Sequence, residues 1–209
     1  MQILIVAATE LEIQPIIASD PEMDHLVTGI GAPAAIYHLQ KRLQQVDYDL
    51  VIQAGIAGSF SKEITPGQTV WVKQDCFADL GMEEKENFTP LFDSGLTNKN
   101  EFPFENGWLI NRNELLDSAT SAVVKAVTVN KVSDSELQKR QFIDHFDPAI
   151  ESMEGAALHY VCLQEHVPFL QLRSISNYVG ERDKAKWKLK DAINNLNDHL
   201  AKLITQLTN

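Results

Sequence analysis

Two carboxylates and one amide carry the strongest chemical signal in the chain: Glu12, Glu154 and Asn177. Each follows closely on a stretch that reads as a strand: the apolar run at residues 2–8, a brief strand at 149–152 and a strand at 168–176. Facing one cleft, two carboxylates can divide labour. One takes a proton from water while the other holds sugar hydroxyls through short charge-assisted hydrogen bonds. Structural duties compete for the same residues. Thr9-x-x-Glu12 fits a capping box, and Glu151-x-x-Glu154 fits acids gathered at the positive end of a helix.

Other motifs are weaker. Gly29-x-Gly31 and Gly55-x-x-Gly58 let backbone approach a ligand and present N–H groups, yet position 34 is alanine and no Gly-Lys-Ser/Thr follows. Neither the dinucleotide fingerprint nor a P-loop is therefore present, and tight turns explain these glycines equally well. The six histidines do not cluster with acids at metal-ligand spacing, and Gly-x-Ser-x-Gly is missing. Lys184, Lys186, Lys188 and Lys190 around Trp187 read as a solvated helix start, or as contacts to a carboxylated ligand.

The elements that must position these groups alternate. Strands are predicted at 2–8, 25–28, 50–54, 69–78, 123–132, 149–152 and 168–176, and helices follow Thr9, at 34–45, after Ser133-x-x-Glu136 to about 146, at 155–165 and from 187. Residues 79–107 read as irregular, a binding loop or lid. The alternation predicts α/β architecture: a single three-layer α/β/α domain over residues 1–209, with a central mixed, largely parallel sheet. Ligands of such sheets gather at the carboxyl ends of strands. That is where Glu12, Glu154 and Asn177 stand.

Composition narrows the ligand. With 18 Lys and Arg against 29 Asp and Glu, the net charge is -11, so a broad nucleic-acid or anionic-membrane surface is excluded. Cys76 and Cys162 form no CxxC and suit a reducing compartment. The N-terminal apolar run has no basic region before it and is too short for a signal peptide, which predicts a cytoplasmic protein.

Five segments in fixed order resemble the nucleoside phosphorylase/nucleosidase superfamily: ILIVAATELE at 3–12, TGIG at 28–31, VIQAGIAG at 51–58, ESMEGAA at 151–157 and RSISN at 173–177. Within it the chain is most similar to the futalosine hydrolase family, through FADLGME at 77–83 with Phe88, the SMEGAA run, and SNYVGERD at 176–183 leading to Trp187. The short connection over 18–28 also fits that family.

The resemblance implies a nucleoside phosphorylase-like fold, N-glycosidic hydrolysis of futalosine, and release of hypoxanthine. An aminopurine nucleosidase acting on methylthioadenosine or adenosylhomocysteine is the alternative. By resemblance, Glu12 and Asn177 are catalytic, Glu12 activating water and Asn177 facing purine N7. Met153 and Glu154 are implied to hold the ribose, and Arg173 to support its strand end. Gly31, Ala54, Gly55, Ile56, Val132 and Ser152 complete the implied substrate site, with Val132 or Ser133 where relatives stack the base. Phosphorolytic relatives grip phosphate with arginines near the first and third strand exits. Here no Arg precedes Arg42, and Gln53-Ala54-Gly55-Ile56 occupies the second position, which favours water as nucleophile. An amide at 177 donates to N7 and a 6-oxo group without a protonation change, which favours a 6-oxopurine. The family pattern implies no cofactor and no metal, a small purine nucleoside as the partner, and a homo-oligomer.

Overall fold

The computed structural model describes residues 1–208. In chain order the elements are β1 (Ile3–Ala7), α1 (Glu10–Ser19), β2 (His25–Val27), α2 (Ala32–Leu43), β3 (Leu50–Ser59), β4 (Thr69–Asp75), β5 (Gly81–Glu84) and β6 (Asn87–Pro90). They continue as β7 (Leu109–Ile110), β8 (Val123–Thr128), α3 (Glu136–Phe146), β9 (Ile150–Ser152), α4 (Gly155–Gln164), β10 (Phe169–Tyr178) and α5 (Leu189–Thr208).

The main sheet runs β2-β1-β3-β10-β4-β8-β9, and β9 returns to pair with β3. Five strands (β3, β10, β4, β8 and β9) thus close into a small barrel from which β1 and β2 extend. Pairings are parallel for β1–β2, β1–β3, β3–β10, β4–β8 and β8–β9, and antiparallel for β4–β10, β3–β9 and β4–β7. The sheet is mixed and largely parallel, with helices on both faces.

Alternation in β1 shows why both faces must be covered. Ile3, Ile5 and Ala7 pack toward α1 and α5, with Ile13, Leu196, Leu200 and Leu203. Leu4 and Val6 pack the other way, toward Leu39 of α2 and Leu158 and Val161 of α4. Inside the barrel, Ala57, Val70, Val72, Ala126, Ile150 and Ile175 fill the space. Phe142 of α3 covers the outer face of β8 at Val127. Among the described residues no helix is long and apolar enough to cross a membrane.

Three local expectations change. First, the glycine-rich segment after residue 54 is not a turn. β3 runs on through Gly55 and Gly58 to Ser59, because β10 pairs with it along one side and β9 along the other. Second, 79–107 is not wholly irregular, since β5 and β6 form a hairpin with partners from Gly81 to Pro90. Third, the helix cap expected at Ser133 is Ser135, whose hydroxyl accepts the Gln138 N–H.

Candidate active site

Glu12 is the third residue of α1, and its carboxylate folds back over that helix's own N-terminus. Oε2 accepts the Thr9 N–H and the Thr9 hydroxyl, both at 3.0 Å, and Oε1 accepts the Ile56 N–H of β3 at 3.0 Å. The helix end favours negative charge there. Pro15 has no N–H to give to α1, and an amide from α5 braces the helix beside it. Asn197 Nδ2 donates to the Glu12 carbonyl at 2.8 Å, and Asn197 Oδ1 accepts the Ile16 N–H at 3.2 Å. The capping role and a place in the site therefore coincide in one residue.

Glu154 precedes α4. Its Oε1 accepts the Gly31 N–H at 2.9 Å, and Oε2 lies 3.8 Å from Arg173 Nη1. Arg173, from β10, is 1% exposed, and its Nη2 donates to Gln53 Oε1 at 2.6 Å. Gly55 makes this possible. A Cβ there would overlap the Arg173 guanidinium and stand 3.0 Å from Glu12 Oε1, so only glycine lets the arginine pass beneath both carboxylates. Burial raises the Glu154 pKa, Arg173 and the Gly31 N–H oppose that, and the nearby Glu12 charge adds to it.

Asn177 lies near the end of β10, beyond a register shift that follows Ile175. Its Oδ1 accepts the Ser176 hydroxyl at 2.7 Å and its Nδ2 donates to the Tyr178 carbonyl at 2.9 Å. That arrangement leaves one amide hydrogen unspent.

These residues share one cavity of about 360 Å3. Glu12, Ile56, Val132, Ser152, Met153, Glu154 and Asn177 line it. Gly31, Ala54, Gly55 and Arg173 do not. Ala54 is wholly buried in β3, and the other three stand behind the wall, holding or making room for its carboxylates. The stretch 79–107 contributes nothing to the lining, and neither do the lysines around Trp187, which are exposed.

Sequence reasoning missed several lining groups. Leu189 and Ile193 of α5 join Trp187 in an apolar wall, and Leu11 and Ile30 stand at the rim, 61% and 64% exposed. Glu151, read only as a helix-start acid, also faces the cavity. Its carboxyl is held by the Ser133 N–H at 3.0 Å and by the Ser133 hydroxyl. Burial raises its pKa, the Ser133 donors oppose this, Asp79 adds to it and Arg182 subtracts.

A second polar layer lies beneath. Asp75 Oδ1 accepts the Cys76 N–H at 2.8 Å and the Thr128 hydroxyl at 3.0 Å, while Oδ2 accepts Gln171 Nε2 at 3.2 Å. Thr128 in turn accepts the Ala156 N–H at 2.7 Å, tying the first turn of α4, next to Glu154, to the barrel. Burial lifts the Asp75 carboxyl to about 7 against these donors. It pushes His159, held by the Leu109 carbonyl, down to about 4.

The Phosphorylase superfamily model matches residues 22–209. A futalosine hydrolase of Streptomyces coelicolor is 31% identical over 185 residues, covering 86% of this chain and 77% of that protein. The futalosine hydrolase of Thermus thermophilus is 29% identical over 187 residues, covering 87% and 81%. Among solved structures, the futalosine hydrolase of Helicobacter pylori superposes with a TM-score of 0.80 at 16% identity, covering 98% of this chain and 97% of that one. The methylthioadenosine/adenosylhomocysteine nucleosidase of Neisseria meningitidis, in complex with methylthio-immucillin-A, superposes with a TM-score of 0.81 at 18% identity, covering 98% of each.

Proposed function

Because this chain belongs to the phosphorylase superfamily and, within it, to the futalosine hydrolases, we propose that it hydrolyses the N-glycosidic bond of futalosine, releasing hypoxanthine and dehypoxanthine futalosine. The observation that carries this reading is the convergence of Glu12, Glu154 and Asn177 on one cavity.

On this reading the bond from the ribose C1′ to the purine breaks through an oxocarbenium-like transition state. Glu154 holds the 2′- and 3′-hydroxyls and sets negative charge near the developing cation. Asn177 donates its free amide hydrogen toward N7 and O6 of the departing base. Glu12 takes a proton from the water whose oxygen bonds to C1′, and the base leaves as an anion hydrogen-bonded to Asn177, then takes a proton from solvent, to which Glu12 returns its own. Met153, Ser152, Ile56 and Val132 shape the ribose and base walls. Gly31, Gly55 and Arg173 act from behind by fixing the carboxylates, with Ala54 packed beneath. Water as the nucleophile is supported by the lining itself, which includes no arginine among the described residues to neutralise a phosphate dianion.

The wall of Trp187, Leu189 and Ile193 is apolar enough to house the keto-benzoate arm of the substrate. The exposed Leu11 and Ile30 at the rim suit a homo-oligomer that covers them, and the cytoplasm is the compartment we assign.

The direct test incubates purified protein with futalosine, inosine and methylthioadenosine, with and without phosphate, and measures free base. Hypoxanthine from futalosine at a rate independent of phosphate is expected. Phosphate-dependent release, or adenine as the only base released, overturns the assignment.

Asn177→Asp tests the base preference. An ionised aspartate sets an oxygen against the Tyr178 carbonyl and has no hydrogen for N7. Hypoxanthine release is expected to fall roughly 100- to 1000-fold, the loss typical of one preorganised donor. A variant that gains activity on the 6-amino analogue without losing any on futalosine contradicts the preference.

A further inference from the structure

We infer that Glu151 is a specificity-determining residue, the acceptor for an N–H on the six-membered ring of the base, which selects a 6-oxopurine over a 6-aminopurine. The inference rests on the purine-nucleoside reading above and extends it to a residue to which that reading gives no part.

Gly58 of β3 pairs with Asn177 of β10 on one side and with Glu151 of β9 on the other. Residues paired across a ladder project from the same face of a sheet. Asn177, Gly58 and Glu151 therefore form one row across three strands. With strands about 4.8 Å apart, the two outer Cα atoms stand roughly 10 Å from each other. The middle residue has no side chain. A Cβ at Gly58 would lie 3.1 Å from Val179 and 3.6 Å from the Asn177 amide, so glycine keeps the centre of the row low. All three residues line the same cavity. A flat base seated over the row presents one edge to Asn177 and the adjoining edge to Glu151.

Chemistry then assigns the edges. Asn177 has a hydrogen to give, which suits the N7 and O6 acceptors. On the next edge of the purine, beyond O6, lies N1. In a 6-oxopurine N1 carries a hydrogen, and in a 6-aminopurine it is a bare acceptor. Glu151 offers acceptors there. The Ser133 N–H occupies one carboxyl oxygen and the Ser133 hydroxyl the other, which leaves further lone pairs on both. These two bonds also fix the carboxyl beside Val132. Held in place this way, it meets N1–H with a charge-assisted bond and meets a bare N1 with repulsion.

The experiment measures binding of the free bases, so its outcome does not depend on turnover. Hypoxanthine, adenine and 1-methylhypoxanthine are titrated calorimetrically into the wild type and into Glu151→Gln. The wild type is expected to prefer hypoxanthine to both other bases by about 10-fold or more, the scale of one hydrogen bond to a charged group. In E151Q, whose amide can turn a donor toward N1, the hypoxanthine-to-adenine ratio is expected to fall at least about 10-fold. An unchanged ratio, or a wild type that binds hypoxanthine and 1-methylhypoxanthine equally, overturns the role. Equal wild-type binding of hypoxanthine and 1-methylhypoxanthine overturns the role even if E151Q fails to fold. Failure to release base from futalosine would instead remove the substrate assignment and leave these ratios standing as measured.

Discussion

Glu12→Gln is expected to release hypoxanthine from futalosine on the order of 100-fold or more slowly than the wild type, while binding the free base with little change. The carboxylate is held by three donors, the Thr9 N–H, the Thr9 hydroxyl and the Ile56 N–H, and it donates nothing. A glutamine keeps the shape and one oxygen. Its Nε2 must then face either the Thr9 pair or the Ile56 N–H, donor against donor. The side chain can no longer take a proton from water, and it is pushed from the position that α1, Asn197 and β3 define for it. The base is recognised from the far side of the cavity, so its affinity should survive. Single-turnover base release together with calorimetry on hypoxanthine separates the two effects. Near-normal release by the variant would remove Glu12 from the role of general base.

How far the site was legible follows from where its residues sit. Glu12, Glu154 and Asn177 are readable because each stands just beyond a predicted strand, and the order of those strands fixes an α/β sheet whose strand ends meet. What stayed hidden lies inside the strands. Gln53 in LVIQAG and Gln171 and Arg173 in FLQLRS interrupt buried strands, and buried polar side chains must find partners. The interruptions signalled a network, but only the closure of β3 against β10 and β9 shows that its members meet beneath Glu154. The same closure explains the misread glycines. Gly55 and Gly58 look like a turn in sequence, yet the ladder on both sides extends the strand through them, and Gly55 is needed because Arg173 occupies the place of its side chain. The β5–β6 hairpin was invisible for a different reason. Its two-residue loop, Lys85 and Glu86, holds φ values of 50° and 69°, a conformation normally announced by Asn-Gly. Ser133 looked like a cap and is not one, because Glu151 claims its hydroxyl and leaves the capping to Ser135.

Glu154→Gln should cost both stability and substrate selection, and the double loss is what distinguishes it from any change at Glu12. Arg173 is almost wholly buried, and its charge is answered by Glu154 at 3.8 Å and by the neutral Gln53 oxygen at 2.6 Å. Its Nε has no hydrogen-bond partner among the described residues. Removing the nearest anion leaves the buried cation with the more distant Glu12 and Asp75 alone, which weakens its compensation and destabilises the fold. A domain of this size should then melt several degrees lower. Glutamine can still accept the Gly31 N–H, so the turn into α4 keeps its shape and the loss reports charge rather than collapse. On the substrate side, an amide accepts ribose hydroxyls more weakly than a carboxylate and gives no field to an oxocarbenium ion. The wild type should therefore discriminate sharply between futalosine and its 2′-deoxy analogue, and the variant should treat them nearly alike because the group that reads the hydroxyl has lost its charge. Thermal melts and kcat/KM for both substrates test the two halves separately. A variant that melts with the wild type shows that Arg173 does not depend on this anion, and one that still rejects the deoxy analogue shows that Glu154 does not hold the diol.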